Sequence, residues 1–84
     1  MNGDKKMEKK IREFISELIK LERNAVDSID LDADLIEFGL DSLNSIELIV
    51  RLEDEFDIEI DDNDLIIDNI NTLNKLINIV QNKQ

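Results

Sequence analysis

The chain has 84 residues, 42% of them hydrophobic, a net charge of −11, and no Cys, His, Trp, Tyr or Pro. This is the size of one small domain, expected to span 1–84 with about 5–82 ordered, whose core is only just sufficient for independent folding. The missing residue types exclude a His- or Cys-based metal site, a thiol nucleophile, an imidazole base and any disulfide, so packing alone must hold the fold.

The opening MNGDKKMEKK is charged and lacks a following uninterrupted apolar stretch, so no secretory signal is expected. No run approaches the roughly 20 apolar residues of a membrane span. A Cys-free chain is compatible with a reducing cytosol, and the expected location is cytoplasmic. Met7, Ile11, Phe14, Ile15, Leu18 and Ile19 share one side at helical spacing, with charges opposite. That pattern predicts an amphipathic first helix over about 5–22, with its lysines on a solvated face.

From Arg23 to Leu40 the periodicity fails, and apolar residues scatter among aspartates. A connection this long is usually functional or held by its own side chains. Val26, Ile29, Leu31, Leu35 and Phe38 are expected to pin it over the helices, and Asp32 or Asp34 to cap a short turn. The spacing Asp30, Asp32, Asp34 invites a calcium reading, but a loop starting at Asp30 places Leu35 where the turn-forming Gly belongs and Asp41 where Glu belongs. A start at Asp57 fails in the same way, at Asp62 and Asp68. No specific metal site is therefore expected. Loose binding of divalent cations to Glu53, Asp54, Asp57, Glu59, Asp61 and Asp62 rests only on the density of like charge.

The stretch from Phe38 to Phe56 carries the most information. Gly39 suits a sharp bend because it takes positive φ at little cost. Asp41 is the natural N-cap of the helix that follows, accepting from the N–H of Leu43 or Asn44. Ser42 then falls in the first helical turn, facing solvent, at a helix end that favours an attached or bound phosphate. Along this helix Leu48, Ile49, Leu52 and Phe56 form one apolar strip. Leu43, Ile46 and Val50 form a second, roughly 140 to 180° away, with Glu47, Glu53 and Asp54 along or beside it. An apolar strip bordered by acids reads as a docking face. A central helix in a small bundle can also be apolar on two sides because it packs against two neighbours, and the pattern alone leaves both readings open.

After Phe56, Asp57-Ile58-Glu59-Ile60 alternates, but a lone four-residue strand has nothing to pair with and is read as loop. Asp61 or Asp62 is expected to cap a short helix over about 62–67, anchored by Leu65. The last helix is expected after Asn71 as N-cap, with Leu73, Leu76, Ile77 and Val80 inward, Asn74, Asn78 and Asn82 outward, and 82–84 fraying. The fold class is all-α: a small four-helix bundle with a long first loop and a short third helix. Charge is unevenly placed, at +2 over residues 1–24, −15 over 25–68 and +2 over 69–84. The negative middle repels nucleic acid and anionic membranes and steers basic protein surfaces toward the segment that holds Ser42.

Gly39-Leu40-Asp41-Ser42-Leu43, followed by Ile46-Glu47-Leu48 and by the run from Leu52 to Ile60, closely resembles the acyl carrier protein family. The resemblance covers about 7–80. Its specificity lies in the Asp-Ser-Leu tripeptide standing after Gly39 on an acidic helix that ends Glu-Phe-Asp-Ile-Glu-Ile. It implies a non-catalytic carrier with 4′-phosphopantetheine covalently attached to Ser42, flanked by Asp41 and Leu43. Acyl or aminoacyl groups would ride on that arm as thioesters, presented to fatty acid, polyketide or related biosynthetic enzymes.

The implied partners are a phosphopantetheinyl transferase and loading and processing enzymes with basic docking surfaces, met through Ile46, Glu47, Val50 and Asp54 by a monomeric carrier. Arg51 is a cation amid these acids that would tune partner choice. Compared with the carriers of fatty acid synthesis, the stretch between Ile60 and Leu73 is about two residues longer, and Leu40 stands where a small residue is frequent. Both features lean toward a discrete carrier of a specialised pathway. Two other classes stand beside this reading: an unmodified acidic helical interaction or regulatory subunit, and a cation-binding helical protein.

Overall fold

A computed structural model describes residues 2–61, 63 and 65–83, with the backbone alone for 2–4. Four α-helices account for its regular structure: α1 (Asn2–Ile19), α2 (Arg23–Asp27), α3 (Ser42–Phe56) and α4 (Leu73–Lys83), with 3₁₀ turns at Leu35–Phe38 and Ile67–Asn69. No strand occurs among the described residues, and 57–60 is loop as the sequence indicates. The all-α fold class holds. α1 is the hub and packs against α2, α3 and α4. Its Ile11 and Ile15 meet a core supplied by Leu48 and Leu52 of α3 and by Leu73, Leu76 and Val80 of α4. Burying a side chain of this size contributes about 1.5–3 kcal/mol, which is how a chain without disulfides holds together.

α1 ends three residues before the position its periodicity suggests. Lys20 takes a left-handed conformation with φ 60°, and Leu21 N–H donates back to Ser16 O at 3.2 Å, which closes the helix end. Glycine is the usual residue at such a stop, so Lys20 gives no signal for it. The segment expected to be irregular contains α2, a helix too short for periodicity to reveal. Arg12, only 8% exposed, holds its end, with one guanidinium nitrogen donating to Val26 O at 2.6 Å and Ile29 O at 2.9 Å. Glu8 pairs with the same side chain at 3.0 Å.

Val26, Ile29 and Leu35 pin the long connection as expected, and Leu31 does so partly. Phe38 does not, since it is 40% exposed. Asp34 rather than Asp32 caps the 3₁₀ turn at Leu35, accepting from Ile36 N–H at 3.0 Å. Asp32 instead accepts from Asn74 Nδ2 at 2.5 Å.

The short helix expected over 62–67 falls partly outside the described residues, which omit 62 and 64; residue 63 is 3₁₀, Leu65 is only half-buried, and a further 3₁₀ turn spans Ile67–Asn69 with Ile70 buried behind it. Asp62, a candidate cap, lies outside the described residues, as does Gln84 of the expected frayed end; Asn82 and Lys83 belong to α4. The N-cap of α4 is Thr72, whose hydroxyl accepts from Lys75 N–H at 3.1 Å, not Asn71. Asn71 is taken up by tertiary bonds: Leu35 N–H donates to its carbonyl at 2.7 Å, and its Nδ2 donates to Asp34 at 3.2 Å. These bonds fasten the connection that leads to α3 onto the residue just ahead of the cap of α4.

Candidate functional site

The turn that delivers the chain to α3 is tied at each step. Leu40, 2% exposed, is its apolar anchor, and its N–H donates to Leu35 O at 3.1 Å. Gly39 takes φ 115°, in the left-handed region that side chains disfavour. A Cβ built on it would meet Ile19 at 3.6 Å, an ordinary contact, so backbone conformation rather than space calls for glycine.

Asp41 is extended, and its carboxylate accepts from Asn44 N–H at 2.9 Å. Asn44 Oδ1 accepts in return from Asp41 N–H at 2.7 Å, which completes a capping box. Asn44 Nδ2 also donates to Gly39 O at 3.2 Å. Sequence reasoning missed Asn44, because capping boxes are ordinarily sought with Glu or Gln at that place. The signal is the Asp-x-x-Asn spacing from Asp41.

Ser42 is the first residue of α3 and is exposed. Comparison with the other three serines singles it out. Ser16 Oγ donates to Leu21 O at 2.6 Å, Ser28 Oγ to Asn24 O at 3.0 Å, and Ser45 Oγ, on a residue 3% exposed, to Ser42 O at 3.0 Å. Among the described residues Ser42 Oγ alone of the four has no partner. The N–H groups of Ser42 and Leu43 also find no acceptor among the described residues, whereas those of Asn44 and Ser45 are engaged by Asp41. A phosphate ester on Ser42 fits here: its oxygen is accessible, and two free backbone donors lie at the positive end of a 15-residue helix.

Below Ser42 the second apolar strip of α3 is open. Leu43 is 82% exposed, Ile46 50% and Val50 55%, with Glu47 and Asp54 exposed on the same side. The first strip is shut, with Leu48 and Leu52 at 0% and Ile49 at 2%. Two charged residues credited to the open face are also held by other parts of the fold. Glu53 accepts from Ile60 N–H at 2.9 Å and so fixes the loop after α3. Arg51 pairs with Glu17 of α1 and lies over the Phe14 ring, 5.9 Å from its centroid. A shallow groove lined by Val50, Arg51, Glu53, Asp54, Ile58 and Glu59 continues the face toward the end of α3. Ile36, Phe38 and Ile66 are further exposed apolar side chains that the periodicity did not flag.

Among the described residues no group of three or more acidic side chains is arranged to hold a metal ion. No helix in them is long and apolar enough to cross a membrane.

The chain is similar to known proteins over nearly its whole length. A family model described as "Phosphopantetheine attachment site" matches residues 9–80. A curated relative from Buchnera aphidicola subsp. Acyrthosiphon pisum (strain 5A), named "Acyl carrier protein", is 40% identical over 80 residues, covering 94% of each chain. Another of that name, from Buchnera aphidicola subsp. Schizaphis graminum (strain Sg), is 40% identical over 79 residues, covering 92% of each.

Proposed function

We propose Ser42 as the point of attachment on one premise: this chain belongs to the phosphopantetheine attachment family and is an acyl carrier with a covalently bound 4′-phosphopantetheine. The arm supplies a terminal thiol, on which acyl groups are held as thioesters. The observation that carries the assignment to Ser42 is its hydroxyl, exposed and without a partner among the described residues, where the other three serine hydroxyls donate to backbone carbonyls.

Loading forms a bond from Ser42 Oγ to phosphorus and breaks the phosphorus–oxygen bond of a diphosphate-linked donor. The hydroxyl proton must go to a base on the transferase. The nearest carboxylate in sequence, Asp41, accepts from Asn44 N–H as a cap, and the chain has no histidine. The domain therefore offers the hydroxyl and two backbone donors for the ester oxygens, and its partners supply the catalysis.

Ile46, Glu47, Val50 and Asp54 are the surface those partners read, with Leu43 beside the arm. An apolar strip with an acidic margin suits a basic partner surface with an apolar centre, and the charges act mainly on encounter rate. The partners are a phosphopantetheinyl transferase and enzymes of fatty acid, polyketide or related synthesis that load and process acyl or aminoacyl groups. The working compartment we propose is the cytoplasm, in keeping with a fold that needs no disulfide. Ser42→Ala should abolish uptake of a labelled pantetheine arm while leaving the helical circular dichroism intact. Equal labelling of wild type and variant rejects the assignment.

A further inference from the structure

We infer that Asn44 is a positioning residue for the loading of Ser42, through a side chain that clamps the turn on both sides of the reacting hydroxyl. The inference rests on Ser42 being the attachment point. Ser42 offers the fold little to hold it by: its side chain is unengaged among the described residues, and its carbonyl takes only a side-chain bond outside the helical ladder, from Ser45 Oγ at 3.0 Å. Its place is set by what grips the residues around it.

Asn44 supplies that grip three times, from Oδ1 to Asp41 N–H at 2.7 Å, from Nδ2 to Gly39 O at 3.2 Å and from its own N–H to Asp41 Oδ1 at 2.9 Å. The bond to Gly39 is the least replaceable. Gly39 is itself at φ 115°, outside any helix, and among the described residues Asn44 Nδ2 is the donor to its carbonyl. An amide serves both anchors because it carries one acceptor and one donor group; a carboxylate can take the Asp41 N–H but has nothing to give Gly39 O. Asn44 is half-buried, whereas Leu43, Ile46, Glu47 and Val50 are exposed, which sets it apart from the face partners read.

Displacement at phosphorus needs the attacking oxygen in line with the leaving oxygen, and misplacement by about 1 Å costs on the order of a hundredfold in rate. Loss of the Asn44 side chain leaves the Asp41 carboxylate cap on the backbone N–H of residue 44, so α3 still begins at Ser42 but on a turn no longer clamped.

The test is steady-state loading of wild type, Asn44→Ala and Asn44→Asp by a phosphopantetheinyl transferase with a labelled pantetheine donor, with thermal unfolding of each variant. Asn44→Ala should lower kcat between about tenfold and a hundredfold, with KM for the carrier held within about twofold. Asn44→Asp, which keeps the acceptor and loses the donor, should fall between. Wild-type kcat in Asn44→Ala, or a raised KM at constant kcat, overturns the inference. So does an Asn44→Asp variant that loads like wild type, or a kcat loss that vanishes well below the variant's melting temperature, since either leaves the clamp without a role. If Ser42→Ala takes up label as well as wild type, the attachment assignment falls and Asn44 with it. If Ser42→Ala is dead and Asn44→Ala is normal, the clamp alone falls.

Discussion

Leu48 and Val50 stand two residues apart on the same helix and are both aliphatic, yet Leu48 is fully buried and Val50 is 55% exposed. The contrast runs the length of α3: Leu48, Ile49 and Leu52 meet the core, while Leu43, Ile46 and Val50 meet solvent. Single exposed aliphatic residues are common on protein surfaces, whereas a strip of three at helical spacing with acids beside it is the surface we propose that partners read. One side of α3 closes the core, and the other, on that proposal, meets the partners.

Truncating one residue on each side of α3 separates the two roles most widely. Leu48→Ala should destabilise the domain by about 2–5 kcal/mol and lower its melting temperature by more than about 8 °C, read by thermal circular dichroism. Val50→Ala and Ile46→Ala should stay within about 0.5 kcal/mol of wild type in stability while loading or acyl transfer slows by about tenfold. If both sides cost the same stability, the open strip is core after all. Smaller still is the charge effect at the rim: Glu47→Lys should slow loading several-fold through the encounter rate, with the gap to wild type narrowing as salt is raised from about 0.05 to 0.5 M. A rate indifferent to salt removes steering from the account.

The two sides of α3 were legible in the sequence because a 15-residue helix gives the 3.6-residue period room to repeat, and Asp41 marks its start by a local side-chain bond. What stayed hidden depends on contacts between distant residues or on a backbone choice with no residue signature. Thr72 and Asn71 are adjacent and both suited to an N-cap; Asn71 is withdrawn by Asp34 and Leu35, which the sequence places far away. α2 is five residues long and leans on Arg12, and α1 stops at a lysine where glycine is the usual mark. Phe38 had a hydrophobic side chain in a loop that needed anchors, but Leu35 and Leu40 already fill that role. Ser42 fell in the first turn where the Asp41 cap put it and the open strip where periodicity put it, while the clamp by Asn44 emerged only with the turn in three dimensions.

Fragmentation mass spectrometry of the chain after loading by a phosphopantetheinyl transferase tests the central claim most directly, because it locates the arm among four serines. The arm is expected on Ser42 alone. An arm on Ser16, Ser28 or Ser45, whose hydroxyls are all engaged by backbone carbonyls, would contradict it.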